Sequence, residues 1–407
     1  MNCRHCFKEL EKPFLDLGFA PPSNEYLTSS QLKSSEVTYP LKIHVCQNCW
    51  LVQTEDYTSS EELFKDDYAY FSSTSKSWLK HAEDYCNFIT SFLSLNMNSS
   101  IIEIASNDGY LLKNFIKKNI PCLGIEPTTN TAEAAELLGI KVIKDFFSHR
   151  LAIELSKKEK KADLIIGNNV YAHVPDINDF TLGMCKLLKT DGTITLEFPH
   201  LMQLMKHSQF DTIYHEHFSY LSLIAVKNIF LRSKLRIYKV EEIKTHGGSL
   251  RIFGCHQESN IKTQDCVNNI INKEINFGLD QIDTFYGFQK KVNLIKNNFL
   301  IFLIEKNNLG KKVVAYGAAA KGCTLVNYSG LKSDLIKYVC DAAKSKQNKY
   351  MPGSHIPILS PEQILIDKPD FVIIFPWNLS TEIKNQLEYI REWGGKFVVA
   401  IPELKIL

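Results

Sequence analysis

Ser100-Ile101-Ile102-Glu103-Ile104-Ala105-Ser106-Asn107-Asp108-Gly109-Tyr110 reads as a buried strand, a turn, and a helix opening at Gly109. An apolar run of this kind fits a strand covered on both faces. The Asn-Asp-Gly that follows supplies turn chemistry. The same pattern recurs downstream, with strands expected at residues 122–126, 141–144, 163–167 and 192–198 and helix-length segments between them. Strands alternating with helices predict an α/β fold: a doubly wound, mostly parallel sheet with helices on both faces.

Working outward, residues 75–95 carry Trp78, His81, Ala82, Tyr85 and Phe88 at helical spacing, which predicts a long amphipathic helix. Residues 207–280 look less regular, and a long helix is expected at about 281–307. Beyond it, strand candidates at 312–316, 335–340, 371–375 and 397–401 predict a second, smaller, Rossmann-like unit. At the other end, Cys3, Cys6, Cys46 and Cys49 form two C-x-x-C pairs. Each tight pair aims two thiolates at one point, so the set can close a tetrahedral site around zinc; buried or redox-active cysteines are the plainer alternative. Four thiolates leave no open coordination position, so this zinc would be structural and the chemistry lies elsewhere. The expected division is a zinc-binding module at 1–65, a central domain at 66–280 and a C-terminal domain at 281–407.

Composition agrees with a multidomain globular protein: 407 residues, 44% hydrophobic, net charge +2. Near-neutral charge without basic or acidic runs points to no nucleic-acid or membrane partner. The start lacks an apolar signal segment, and the apolar runs at 313–320 and 371–375 are too short to span a bilayer. The remaining cysteines are scattered without pairing logic, which favours a reducing cytoplasm.

In open α/β sheets, ligands sit beyond the carboxyl ends of the strands, where the winding reverses. The small residues Ala105, Ser106, Asn107, Asp108 and Gly109 would let a ligand approach the backbone, with Tyr110 following. Glu126, before Pro127, ends the next strand and can accept hydrogen bonds from both hydroxyls of a ribose. Asp145-Phe146, after the third strand, would meet the edge and face of an adenine. This constellation fits an adenosyl ligand, either a nicotinamide dinucleotide or S-adenosylmethionine. No G-x-G-x-x-G occurs here, and Glu103 suits a cationic amino-acid end, so S-adenosylmethionine is favoured over a dinucleotide and over a domain with no adenosyl ligand.

Taken together, the paired C-x-x-C module and the motifs E-I-A-S-N-D-G-Y, G-N-N-V-Y-A-H-V-P-D, Y-H-E-H-F-S-Y, H-G-G-S-L-R, Y-G-A-A-A-K-G and P-W-N resemble the sugar C-methyltransferase family over nearly the whole chain. That family takes part in branched-chain deoxysugar biosynthesis. The resemblance implies S-adenosylmethionine, a zinc-binding N-terminal domain, and a C-terminal domain that helps hold a nucleotide-linked 4-keto sugar. Family members methylate C3 of thymidine-diphosphate 4-keto-6-deoxy sugars; the nucleotide and sugar used here do not follow from the match, nor does the oligomeric state. Ala105 stands where the general methyltransferase signature has glycine.

A ketone at C4 acidifies the C3 proton, so the chemistry needs a base, a donor to the enolate oxygen and an in-line methyl. Tyr214-His215-Glu216-His217 offers a base and partners in one stretch, and it is not an H-E-x-x-H zinc motif. If extended, Tyr214 and Glu216 share one side and the histidines the other; if turned, the sets mix. The resemblance singles out His217 as the base, with Tyr214 and Glu216 beside it; a surface or core histidine pair is the bland reading. Asn168, Asn169 and His173 follow the fourth strand and face the cleft expected for cofactor and substrate, or cap the loop. Tyr68 and Tyr70 would cover the site as a lid or pack in a core. Lys321, in the strand-to-helix turn 317–322, and Arg251 are diphosphate candidates, and Trp377 would stack on a base or pack in the core. An O-methyltransferase, a nucleotide-sugar oxidoreductase or epimerase with a structural zinc, and a zinc-stabilised binding module are the competing functions.

Overall fold

A computed structural model describes residues 1–57, 72–159 and 161–407. Strands β1 (Leu15–Ala20), β2 (Tyr39–Val45) and β3 (Val52–Thr54) pair antiparallel at the N-terminus. The zinc knuckles flank this sheet and repeat one geometry. The residue after each second cysteine, Phe7 (φ 64°) or Trp50 (φ 61°), turns left-handed. Phe7 N and Trp50 N donate to the carbonyls of Cys3 (2.9 Å) and Cys46 (2.8 Å). The four sulfurs lie within 4.8 Å of one another, as a tetrathiolate site requires.

The central sheet contains β4 (Ile101–Ile104), β5 (Cys122–Ile125), β6 (Lys141–Ile143), β7 (Ala162–Asn168) and β8 (Leu188–Pro199), all parallel. Every residue of β4 is buried, as its unbroken apolar pattern requires. The chain then gives β9 (Ser219–Tyr220), which leaves this sheet to pair with β3 and complete the N-terminal one. β10 (Leu235–Ile243) and β11 (Ser249–His256) return as an antiparallel pair, so the central order is β10-β11-β8-β7-β4-β5-β6. The region expected to be irregular, 207–280, therefore holds three strands, β9, β10 and β11, and the helices Leu223–Arg232 and Asp265–Phe277.

The helix Lys76–Phe92 begins on Ser75, whose side chain accepts from Trp78 N at 3.3 Å. It packs Ala82, Tyr85, Cys86 and Ile89 inward at helical spacing.

The C-terminal sheet has the parallel strands β12 (Val313–Tyr316), β13 (Val339–Cys340), β14 (Ile358–Leu359), β15 (Phe371–Ile374) and β16 (Lys396–Val399), with antiparallel β17 (Lys405–Ile406) at its edge. Only Val339–Cys340 of the expected strand 335–340 pairs. The helix expected at 281–307 is interrupted: Asp283–Tyr286 is a separate turn of helix before Phe288–Asn308, with Gly287 at the junction. Glycine is a poor helix interior residue, which explains the break.

One apolar core joins the N-terminal sheet (Leu15, Leu41, Ile43), the segment after β8 (Leu201, Phe210, Ile213) and the C-terminal unit (Val326, Ile373). The zinc site thus tethers a sheet that is itself part of the scaffold. One zinc per chain should be found by metal analysis. Cys49→Ser should lower zinc content and melting temperature together, because ligand and fold are coupled. Full stability after complete chelation would refute a structural zinc.

Candidate active site

The neighbours of β4, β5 and β7, lie on opposite sides of it, so the chain reverses its winding direction there. The loop after β4 opens into this crevice. Its backbone alternates into the left-handed region at Ala105 (φ 56°), Asn107 (φ 48°) and Gly109 (φ 76°). Ala105 adopts the conformation that glycine would hold more easily, at a cost of about 1–2 kcal/mol. Gly109 has no such latitude, since a Cβ there would lie 2.4 Å from Ile140 Cδ1. Asn107 N donates to Glu126 Oε2 at 2.9 Å, and Thr128 N to Glu126 Oε1 at 3.0 Å. Across the cleft, Ser72 N and Ser73 N donate to Asn107 Oδ1 (2.9 Å) and Asp108 Oδ2 (3.1 Å).

The crevice holds buried acceptors without donors. Among the described residues, both oxygens of Glu103 meet no hydrogen-bond partner, nor do Ser106 Oγ, Asp108 Oδ1, Asn168 Oδ1 and Asn169 Oδ1. A buried polar atom left unpaired costs about 1–3 kcal/mol. Burial, reinforced by the charges of Glu126 and Asp108, pushes the Glu103 carboxyl well above the usual carboxylate range. A ligand that suits this crevice brings donors and positive charge. S-adenosylmethionine fits, with an ammonium group, a sulfonium and a ribose diol. Glu103 would meet its cationic end and Glu126 its ribose. A dinucleotide's diphosphate would face Glu103, Asp108 and Glu126 with like charge. At the rim, Asp145 is exposed and accepts from Phe146 N at 2.8 Å, while Phe146 and Pro127 are half-buried. Tyr110 is buried, its ring 6.0 Å from Trp78, and it braces the wall.

Opposite the crevice, residues 214–217 form a turn closed by His217 N donating to Tyr214 O at 3.0 Å. The turn, not an extended strand, decides which side chains meet. The His217 ring lies 4.1 Å from that of Tyr214 and 4.6 Å from that of His173. His217 Nδ1 lies 2.9 Å from Thr212 O. A carbonyl can only accept, so Nδ1 carries the proton and Nε2 keeps its lone pair. Among the described residues no hydrogen bond reaches Nε2. His173 Nδ1 likewise donates to Glu216 O at 2.7 Å. Burial lowers His217 well below the ordinary histidine value and His173 to about 4, so both are neutral at pH 7.

Glu216 departs from expectation. Its carboxylate turns away from His217 and accepts from Ser23 Oγ (3.0 and 3.1 Å) and Asn24 Nδ2 (3.0 Å) in the N-terminal unit. The tight turn throws successive side chains to different sides. His215 Nε2 likewise donates to Pro40 O at 3.2 Å. Tyr68 and Tyr70 lie outside the described residues.

The third wall comes from the C-terminal unit. Lys321 Nζ donates to Asn378 Oδ1 at 2.8 Å and sits 4.3 Å over the Trp377 ring. Burial lowers Lys321 to about 8, partly opposed by Asp211. Arg251, the other phosphate candidate, is committed elsewhere: its Nε donates to the buried Glu197 at 2.8 Å, and its guanidinium covers Tyr85. His81 Nε2 donates to the same carboxylate at 2.9 Å. Two residues escaped the sequence reading. His246, with φ 53°, lies edge-on to Trp78 (5.4 Å) at the tip of the β10–β11 hairpin. It belongs to the H-G-G motif, so a signal existed. Asp211 accepts from Trp377 Nε1 at 2.7 Å. Nothing local in sequence marks it.

Three family models match in series: a zinc binding domain over residues 3–64, a methyltransferase domain over 78–240 and a C-methyltransferase C-terminal domain over 244–402. The chain is 30% identical over 406 residues to the C-methyltransferase NovU of Streptomyces niveus, covering 100% of this chain and 96% of NovU. Among solved structures, an S-adenosylmethionine-dependent methyltransferase from Clostridium acetobutylicum aligns with 12% identity and TM-score 0.37, over 44% of this chain and 92% of its own. The PH0226 protein from Pyrococcus horikoshii aligns with 14% identity and TM-score 0.38, over 47% and 99%. No described helix is long and apolar enough to cross a membrane.

The orphaned Glu103 yields a signed prediction. A carboxyl whose folded-state pKa is raised contributes stability that is intact below its unfolded value, 4.5, and lost as pH rises through the folded value. Glu103→Gln should therefore leave the melting temperature at pH 7 equal or higher, while S-adenosylmethionine affinity falls by about tenfold or more through loss of a charge-assisted contact. Calorimetry in buffers of different ionisation enthalpy should also show proton release on binding in the parent protein and none in the variant. Unchanged affinity in the variant would remove Glu103 from the cofactor site.

Proposed function

The chain belongs to the S-adenosylmethionine-dependent C-methyltransferase family, and from that premise we propose that it methylates C3 of a nucleotide-diphosphate 4-keto-6-deoxy sugar, with His217 as general base. The observation that carries this reading is the tautomer of His217. Nδ1–H is held by the Thr212 carbonyl, which leaves the buried Nε2 as an unprotonated acceptor with no partner among the described residues. A C–H bond needs such a base, whereas a hydroxyl would need less help. S-adenosylmethionine, when bound, supplies an electrophilic methyl group.

His217 Nε2 takes the C3 proton, and the electron pair of that bond delocalises through C4 onto the ketone oxygen. Burial makes imidazolium costly here, which works against proton abstraction in the apo site. The substrate reverses that balance, because its enolate and diphosphate bring negative charge into a water-poor cleft. Tyr214, whose ring lies 4.1 Å from that of His217, would donate to the enolate oxygen. His173 steadies the turn through the Glu216 carbonyl and shields the base. Asn169, whose Oδ1 meets no partner among the described residues, would bond a sugar hydroxyl. Lys321 would pair with the diphosphate, and Trp377 would pack beside the nucleotide.

His217→Asn should keep most of the side chain's volume but remove the basic nitrogen, lowering turnover by about 10²–10⁴-fold with both ligands still bound. In deuterium oxide, the parent enzyme should wash hydrogen out of C3 of a 4-keto nucleotide sugar and the variant should not. Exchange at the parental rate in the variant would assign the base elsewhere, and absence of exchange in the parent would favour O-methylation.

The pH profile follows from the same groups. The base must be neutral and its pKa is depressed, so the acid limb of kcat/KM should lie below pH 6.5. Lys321 must be charged, so an alkaline limb should appear near pH 8 and move upward in Lys321→Arg. A profile without an alkaline limb would show that Lys321 is not needed as a cation.

A further inference from the structure

Asp211 is 1% exposed, and its Oδ1 meets no hydrogen-bond donor among the described residues. Its other oxygen accepts the indole N–H of Trp377 at 2.7 Å across the boundary between the two α/β units. The same indole carries Lys321 Nζ on its face at 4.3 Å, and Asn378, the next residue, accepts from that ammonium at 2.8 Å. The indole is wedged from the other side by the β10–β11 hairpin. A Cβ on Gly247 would lie 2.4 Å from the ring, and Gly247 O accepts from Gln209 Nε2 at 2.9 Å. Carboxylate, indole and ammonium therefore form one connected cluster, and among the described residues its charged anchor on the methyltransferase side is Asp211. A buried carboxylate is costly to retain for the sake of one neutral N–H bond. It becomes intelligible as the fixed counter-charge of a mobile cation.

We infer that Asp211 is a positioning residue for substrate: by clamping Trp377 it fixes the Lys321 ammonium toward the diphosphate of a nucleotide-linked sugar held between the two α/β units. This rests on the reading of Lys321 as a diphosphate ligand given above. Asp211 itself would not touch the phosphates, since two anions would repel. Lysine is a flexible point charge with a long stem, so a site that needs it in one place must restrain it from outside. Trp377 supplies the surface and Asp211 locks the surface to the domain that carries His217. Charge on phosphate and position of the reacting carbon are thereby set in one frame.

The test measures binding of thymidine diphosphate and uridine diphosphate to the full chain by calorimetry, with S-adenosylhomocysteine as internal control. Lys321→Gln and Asp211→Ala should each weaken binding of the nucleoside diphosphate that the parent prefers by about tenfold or more, the size of a charge-assisted contact. Affinity for S-adenosylhomocysteine should stay within about twofold. Combining the two substitutions should cost little beyond either one, since both disable the same contact. Asp211→Asn keeps an acceptor for the indole and should recover part of the loss; Trp377→Phe removes the N–H yet keeps the ring and should resemble Asp211→Ala. If Asp211→Ala and Trp377→Phe bind like the parent while Lys321→Gln does not, the positioning role is wrong and the diphosphate reading survives. If Lys321→Gln also binds like the parent, both fail. Equal loss of S-adenosylhomocysteine affinity would mark Asp211 as a general structural residue and overturn the inference.

Discussion

The structure depends on one segment, Gln209 to Tyr220, that is hydrogen-bonded to every layer of the molecule. Asp211 accepts from Trp377 and the Ile213 carbonyl accepts from Thr324, both in the C-terminal unit. His215 donates to Pro40, Glu216 accepts from Ser23 and Asn24, and Thr54 donates to the His217 carbonyl, all in the N-terminal unit. Phe218 N donates to Ala172 O, in the loop after β7 of the central sheet. A buried loop must pair its polar backbone groups, and this one does so with three partners at once. The turn that carries His217 is therefore fixed only when all three units are assembled.

That dependence gives the zinc site its purpose. The N-terminal unit is small and would bury little apolar surface alone. The tetrathiolate ties its knuckles together, and the sheet beside them then offers Ser23, Asn24, Pro40 and Thr54 to the segment carrying His217. The metal-tied unit is thereby linked to the turn that carries His217, through the carboxylate of Glu216. That carboxylate serves as a structural strut between units, not as a partner of the imidazole.

Polarity divides the cleft in a way that suits two unlike ligands. One side collects unpaired acceptors at Glu103, Ser106, Asp108, Asn168 and Asn169, a lining that draws in a cation. The other holds the Lys321 ammonium, which suits an anion. On the proposed reading, these opposite preferences would sort a sulfonium cofactor from a phosphorylated substrate before any close fit is tested.

The strands at 100–105, 122–126 and 163–167 were legible because unbroken apolar runs between turn residues admit few other readings. The zinc ligands were legible because C-x-x-C spacing is itself a geometry. Glu103 and Glu126 followed from their places at strand ends, since in an α/β sheet that edge is where ligands lie. Other features were settled by contacts between residues distant in the chain. The order of the last two central strands, the turn at 214–217, the outward aim of Glu216, the capture of Arg251 by Glu197, and the pairing of Asp211 with Trp377 are of this kind. Local pattern fixes which face of an element is apolar, because that depends on neighbours three or four residues away. It does not fix the hydrogen-bond partner of a buried polar side chain, because burial makes that choice among groups brought together only when the units close.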